Sequence, residues 1–212
     1  MSSSRDNTRP IKSLSATDGI RDRPAMYLSE FGQPHAVNSL LQECLCISLD
    51  NAFEGCATEI RITLRKDGSI AIWDNGPPLP LIGSDGLPAI QPLLTKLNAC
   101  RDAKRAVHKD LCRVGVVVVN ALSEWLKVDC GIDARHWRQE YQQGSPAGPF
   151  VDIGDTTETW EQISFLPDRS LLGETQFDIP TFQRWFTDQQ FAISNCRITL
   201  EDDVTDERIL LS

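Results

Sequence analysis

The stretch Asp110-Leu111-Cys112-Arg113-Val114-Gly115-Val116-Val117-Val118-Val119-Asn120-Ala121-Leu122-Ser123-Glu124-Trp125 decides how this chain is read. Four consecutive valines suit either a strand or a buried helix, because β-branching leaves the side chain few rotamers in both settings. Their continuity into Asn120-Ala121-Leu122 points to a buried helix over 114–122, with Gly115 at its start. The apolar residues from Trp125 to Cys130 then form a strand.

Working outward, Val37, Leu40, Leu41, Cys44, Leu45, Ser48, Leu49, Ala52 and Phe53 recur at helical spacing, and Gly55 ends the pattern. That predicts a helix over 36–53. Glu43 lies opposite its apolar stripe, the usual place of a solvated carboxylate. Ile60, Ile62 and Leu64 alternate with polar residues, and the alternation resumes at Ile70 and Ile72 after Lys66-Asp67-Gly68, which predicts a β-hairpin. Asp74 continues the Ile70/Ile72 side, so a carboxylate ends the buried face of a strand before Gly76 and the rigid run Pro77-Pro78-Leu79-Pro80. A residue so placed often caps the following turn through its side chain.

Further elements are a short helix over 88–97, a loop over 98–109, strands near 135–141 and 159–166, a helix over 181–193 and a strand over 197–200 before an acidic tail. Residues 1–13 are polar and read as a flexible arm, leaving 14–212 as one domain. The pattern is α+β, with helices covering one face of a mixed, largely antiparallel sheet.

Bulk properties exclude several function classes. No apolar run reaches membrane-spanning length, and Met1-Ser2-Ser3-Ser4-Arg5-Asp6 lacks the apolar segment of a signal peptide, so a cytoplasmic location and no membrane partner are expected. Seven cysteines without a Cys-x-x-Cys pair suggest reduced thiols rather than disulfides or zinc. A net charge of −9 opposes duplex phosphate, so direct DNA binding is not expected. The densest basic cluster, Arg101, Lys104, Arg105, His108, Lys109 and Arg113, reads as a solvated loop. His35, His108 and His136 have no metal-binding spacing, and Trp73, Trp125, Trp160 and Trp185 read as core or sheet-face residues.

Several motifs share an order and spacing: Ile11-Lys12-Ser13-Leu14 through Arg21-Asp22-Arg23-Pro24-Ala25-Met26-Tyr27-Leu28, Glu43, Asp74-Asn75-Gly76 with Pro80, Leu94-Thr95-Lys96-Leu97, and Val114-Gly115 with Val119 to Trp125. Together they resemble the N-terminal ATPase domain of the bacterial gyrase B and topoisomerase IV ParE subunits, from residue 11 to about 200. The resemblance implies a GHKL (Bergerat-type) two-layer sandwich. It assigns Glu43 as the general base that polarises the attacking water, Asp74 as the adenine reader with Gly76 beside the base, Gly115 as part of the phosphate-binding turn, and Arg138 as a rim residue of the adenine pocket. ATP and Mg²⁺ are the implied cofactors.

Departures from the family pattern accumulate around that pocket. Ile47 stands where the family has a magnesium-coordinating asparagine, and an aliphatic side chain cannot ligate a hard cation, so no metal ligand is assigned. The glycine-rich phosphate turn has become Asp110-Leu111-Cys112-Arg113-Val114-Gly115, in which Asp110 repels phosphate and Arg113 attracts it. Pro77 and Pro78 replace an arginine and a glycine. Asn51 replaces that arginine's acidic partner, and Glu161 stands near the place of a threonine supporting the adenine-binding aspartate. The chain ends before the family's transducer and toprim domains, so strand passage by this chain alone is not expected.

Three functional expectations emerge. The first is a pseudo-ATPase that acts through nucleotide or small-ligand binding and through contact with another protein or a second copy, since the family's segment equivalent to 1–15 reaches a second subunit. The second is a divergent ATP-hydrolysing enzyme with Glu43 as base and Arg113 replacing lost contacts. The third is a decoy or sensor for a gyrase-directed ligand, suggested by Asp74 and Arg138.

Overall fold

A computed structural model describes residues 14–28, 30–83, 86–99, 114–173, 176–189, 193 and 195–212. The expected arm over 1–13, and Asp110, Cys112 and Arg113 of the rewritten turn, lie outside the described residues. Helix α1 (Ala16–Asp22) starts at Ser15, whose hydroxyl accepts the Asp18 N–H at 3.0 Å. After a 3₁₀ turn (Pro24–Met26) comes the long helix α2 (Ala36–Phe53), as its apolar spacing predicts.

Strands β1 (Glu59–Leu64) and β2 (Ile70–Asp74) form the expected hairpin. The valine run is helical: Gly115 caps α4 (Val116–Ala121), which comes after the short α3 (Ile90–Thr95), and all six α4 residues are buried. Next along the chain are strands β3 (Ser123–Ile132), β4 (Arg135–Gln142), β5 (Ser145–Pro146), β6 (Val151–Asp155) and β7 (Trp160–Pro167). Then come α5 (Arg169–Leu172), α6 (Ile179–Asp188), β8 (Arg197–Asp202) and β9 (Glu207–Leu210).

The strands run β5-β4-β3-β7-β2-β1-β8-β9 across one sheet, with β6 added to β4. Every pairing is antiparallel except β1 with β8. The sequence expectation of a largely antiparallel α+β sheet therefore holds. Side chains of α2 reach Asp74, so the helices cover the face that carries Ile60, Ile62, Ile72, Asp74, Val128 and Phe165. Leu40, Leu41, Leu45 and Leu49 of α2 pack into the core with these residues, each almost wholly buried. Burial of one such side chain contributes roughly 1.5–3 kcal/mol.

The helix expected over 181–193 runs instead over Ile179–Asp188. Asp178 accepts the Thr181 N–H at 2.9 Å and Pro180 sits in the first turn, which fixes the earlier start. The acidic tail segment contains β9, paired to β8. At the opposite side of the core, Arg21 of α1 donates to the Ala121 carbonyl and to Asp168 Oδ2, both at 2.7 Å. That places a cation on the C-terminal end of α4.

Candidate functional site

Two carboxylates define the site, Glu43 on α2 and Asp74 at the end of β2. Asp74 ends β2, is 1% exposed, and receives three donors: the Ser48 hydroxyl on Oδ2 at 2.6 Å, and Asn51 Nδ2 and the Gly76 N–H on Oδ1, both at 2.9 Å. Ser48 and Asn51 lie three residues apart on α2, so one helical face presents both. The third donor closes a turn two residues ahead, the capping role expected of an aspartate at a strand end.

Gly76 is required by this cluster rather than by its backbone angle. A Cβ there would stand 2.8 Å from Asn51 Nδ2, 2.8 Å from Asp74 Oδ1 and 2.9 Å from Asn51 Cβ. Asn51 also donates to the Pro77 carbonyl at 3.4 Å. Asn51 is thus a neutral donor both to Asp74 and to the proline run, and joins the helix to the Pro77-Pro78 segment.

Glu43 is buried, 6% exposed, and the solvated position suggested by its place opposite the apolar stripe does not hold. Its Oε2 accepts the Gly115 N–H at 2.8 Å, and both carboxylate oxygens accept the Val114 N–H at 3.3 Å. Gly115 adopts φ +101°, which places its N–H at the start of α4 and favours glycine. N–H groups at a helix start attract anions, and here the anion is a side chain of the same protein. Ile47, one turn along α2, is 5% exposed and contributes only carbon. Among the described residues no group of three or more His, Cys, Asp or Glu side chains could hold a metal ion.

Beside Glu43 lies a cavity of about 630 Å³ walled by Tyr27, Gln42, Val114, Thr181 and Trp185, with the exposed Met26 at its mouth. Glu30 also lines it and accepts the Ser39 hydroxyl at 3.0 Å.

The predicted rim residue Arg138 does not join this group. Its register partners run Asp129, Gln162 and Trp73, the row alternating with Cys130, Glu161 and Asp74. Successive residues on a strand point to opposite faces, so Arg138 stands on the sheet face away from α2. There Asp129 Oδ1 accepts Arg138 Nε and meets His136 Nε2, each at 2.8 Å. Trp73 shares that face under the Arg61 guanidinium, 4.8 Å from the ring centre.

Glu161 pairs with Asp74 across β2 and β7 and with Cys130 across β7 and β3, and is 3% exposed. Burial first, and the Glu161 charge second, push the Cys44 thiol far up. The same two causes, with Asp129 third, push Cys130 up to about 12. Glu161 thus sits in the floor beside Asp74. Ser48 is a site residue that sequence reasoning missed; its spacing from Asn51 on a helix facing the Asp74 strand is the signal that could have found it.

The fold and strand order are those of a GHKL-type domain. The chain is 34% identical over 203 residues to the B subunit of DNA gyrase from Thermotoga maritima, covering 93% of this chain and 32% of the relative. It is 33% identical over 198 residues to the B subunit of DNA gyrase from Streptomyces coelicolor and to the B subunit of DNA topoisomerase 4 from Staphylococcus aureus, covering 91% of this chain in each case and 29% and 30% of those proteins. The structure resembles the 43K ATPase domain of Thermus thermophilus gyrase B in complex with an aminocoumarin, with a TM-score of 0.77 and 26% identity over 93% of this chain and 51% of that one. No protein-family model matches the chain. The chain is homologous to the ATPase domain of the bacterial gyrase B and topoisomerase IV B subunits. It spans about a third of the length of those curated relatives.

Proposed function

We propose that this protein is a gyrase-B-like pseudo-ATPase, which binds a nucleoside or another flat small ligand at the Asp74 end and acts through protein contacts rather than through hydrolysis. One observation carries the reading: the Glu43 carboxylate accepts the N–H groups of Val114 and Gly115 at 2.8–3.3 Å. In that position it repels a phosphate approaching the same donors, and both of its oxygens already accept backbone N–H groups. Ile47 supports the reading, because Mg²⁺ requires oxygen ligands where a hydrocarbon stands. Among the described residues, Glu43 and Ile47 therefore do not suit a metal-bound triphosphate.

The cavity beside Glu43 favours a second copy of this chain as the protein partner. Its acidic residues, Glu30 and Glu43, and its aromatic walls match the arm over 1–13, which carries Arg5, Arg9, Lys12 and Ile11. A cytoplasmic homodimer without DNA contacts is the assembly this reading expects.

The decisive measurement is ATP turnover with and without Mg²⁺, alongside calorimetric titration of ATP, ADP and adenosine. No Mg²⁺-dependent hydrolysis is expected, and adenosine should bind at least as well as ATP. Mg²⁺-dependent turnover that disappears in Glu43→Ala would restore Glu43 as a general base and overturn the proposal.

A further inference from the structure

At the end of β2 remote from Asp74 lies a second cavity, of about 410 Å³, within the usual range for small-ligand sites. Ile70 of β2 lines it, about 13 Å along the strand from Asp74, so the two sites are separate. Carbon forms its floor and one wall: Val37 of α2, Leu64 of β1 and Ile70, all buried, with Phe177 and Ile179 beside them. That wall is held without an occupant. Asn38, fully buried, donates to the Asp178 carbonyl at 2.9 Å and accepts the Asp178 N–H at 3.0 Å, and the Gln176 N–H donates to the Pro34 carbonyl at 3.0 Å. These bonds fix the Phe177–Ile179 segment against the start of α2. A cavity so preformed costs a ligand little ordering entropy.

Cations gather at its mouth. Arg65 and Lys66 come from the β1–β2 turn and Arg169 from α5. The Gly68 N–H closes that turn on the Arg65 carbonyl at 2.9 Å, and a Cβ on Gly68 would stand 3.4 Å from Arg169 Nη2, so the Arg169 guanidinium lies beside the turn. Among the described residues none of these three side chains has a hydrogen bond or ion pair. The neighbouring carboxylates are already engaged. Asp67 accepts the Ser69 N–H and hydroxyl at 2.9 and 2.6 Å, Asp202 accepts the Val204 N–H at 2.9 Å and the Thr205 hydroxyl at 2.8 Å, and Asp168 pairs with Arg21. The mouth is thus positive in a chain whose net charge is −9.

We infer that this cavity binds a small organic anion, a carboxylate or phosphate head on an apolar body such as a short acyl chain. Arg65, Lys66 and Arg169 take the head, and the Val37, Leu64 and Ile70 floor takes the body. Charge complementarity selects the head, since a guanidinium fork matches the paired oxygens of a carboxylate or phosphate. A bare inorganic anion leaves the carbon floor unused, and a neutral hydrocarbon leaves the cations without a partner.

The test titrates the full chain with octanoate by calorimetry at neutral pH, with acetate as the head alone and 1-octanol as the body alone, and follows the methyl resonances of Val37, Leu64, Ile70 and Ile179. Octanoate should bind with a Kd below about 1 mM, at least about ten-fold more tightly than either fragment, and should weaken as salt is added. Those four residues should carry the methyl shifts. Arg65→Gln and Arg169→Gln should each weaken binding about five-fold and leave the Tm unchanged, since neither guanidinium holds another described element. Octyl phosphate, titrated in parallel, distinguishes the two heads, and a preference for either supports the assignment. Absence of octanoate binding, an affinity that both substitutions leave unaltered, or shifts confined to the cavity of Tyr27 and Trp185 would each overturn it. An acidic peptide that occupies the cavity in place of octanoate would also overturn it, assigning the site to a protein partner.

Discussion

The Gly115 N–H donates to the Glu43 carboxylate at 2.8 Å, joining residues 72 positions apart and tying the start of α4 to the middle of α2. A side chain so engaged has a structural role that can be measured apart from any catalysis. Glu43→Ala should cost about 1–3 kcal/mol, the usual penalty for leaving buried donors without an acceptor. In a chain of this size that lowers the Tm by about 2–4 °C for each kcal/mol. Glu43→Gln keeps an acceptor oxygen and should lose less. Thermal melts of the two variants check the order; equal stability of Glu43→Ala and the parent would remove the structural role.

Gly76→Ala forces a methyl group to within 3 Å of Asn51 and Asp74. Overpacking of this kind costs about 1–3 kcal/mol. Asn51→Ala removes one of the three close contacts, that with Nδ2, together with a donor to Asp74, so the double variant should be somewhat more stable than the sum of the single losses predicts. Urea titrations in a double-mutant cycle measure that coupling.

Arg21 and Asp168 set an acid limit on stability. Burial raises the Asp168 carboxyl, but the Ser170 hydroxyl, the Arg21 guanidinium and the Ser170 N–H outweigh it and hold the group below the ordinary aspartate range. Its folded value is depressed, so its stabilisation is present above about pH 4, the unfolded value, and is lost as pH falls through the lower folded value. Arg21→Met should flatten that part of the stability profile and leave the neutral region with a uniform loss. Denaturant midpoints from pH 7 down to about pH 2 test this, and an unchanged acid slope in Arg21→Met would assign the slope to other carboxyls.

The thiols should divide sharply in reactivity, because the thiolate is the nucleophile. Cys56 is exposed, whereas Cys44, Cys130 and Cys196 are buried, and burial first of all pushes Cys130 and Cys196 up to about 12 and about 11. Among these described cysteines, iodoacetamide near pH 8 should label Cys56 and spare the buried three until denaturant is added. Mass spectrometry of the modified peptides checks the order.

Much of the fold is legible in the sequence because its elements carry strong periodicity. The helix over 36–53 and the hairpin around Lys66-Asp67-Gly68 can be read from apolar spacing and turn residues alone. The valine run is decided by its continuation into Asn120-Ala121-Leu122 rather than by its own propensity. The elements that escape such reading are short or marginal: α1 is signalled only by the cap Ser15 with Asp18 three residues on, and β6 is largely exposed, so it lacks an apolar face to read. Site residues are harder. Asp74 is visible as a carboxylate ending a buried strand face, yet spacing alone places Glu43 in solvent, since no periodicity reports that two backbone N–H groups 71 and 72 positions away will bury it. Arg138 is suggested by resemblance alone, and because a side chain on a strand changes face with each residue, only the pairing register shows which face carries it.

Strand β7 lies between β2 and β3, although some 85 residues of chain separate it from β2 and about 27 from β3. During synthesis, the β1–β2 hairpin and the β3–β4 ribbon can each form once their residues have emerged, but they share no strand pairing until Trp160–Pro167 is available to bridge them. The Asp74–Glu161 row is completed by the same event. A ribosome-bound chain halted before residue 160 would present two unjoined ribbons with exposed edges, which are the surfaces that chaperones and aggregation compete for.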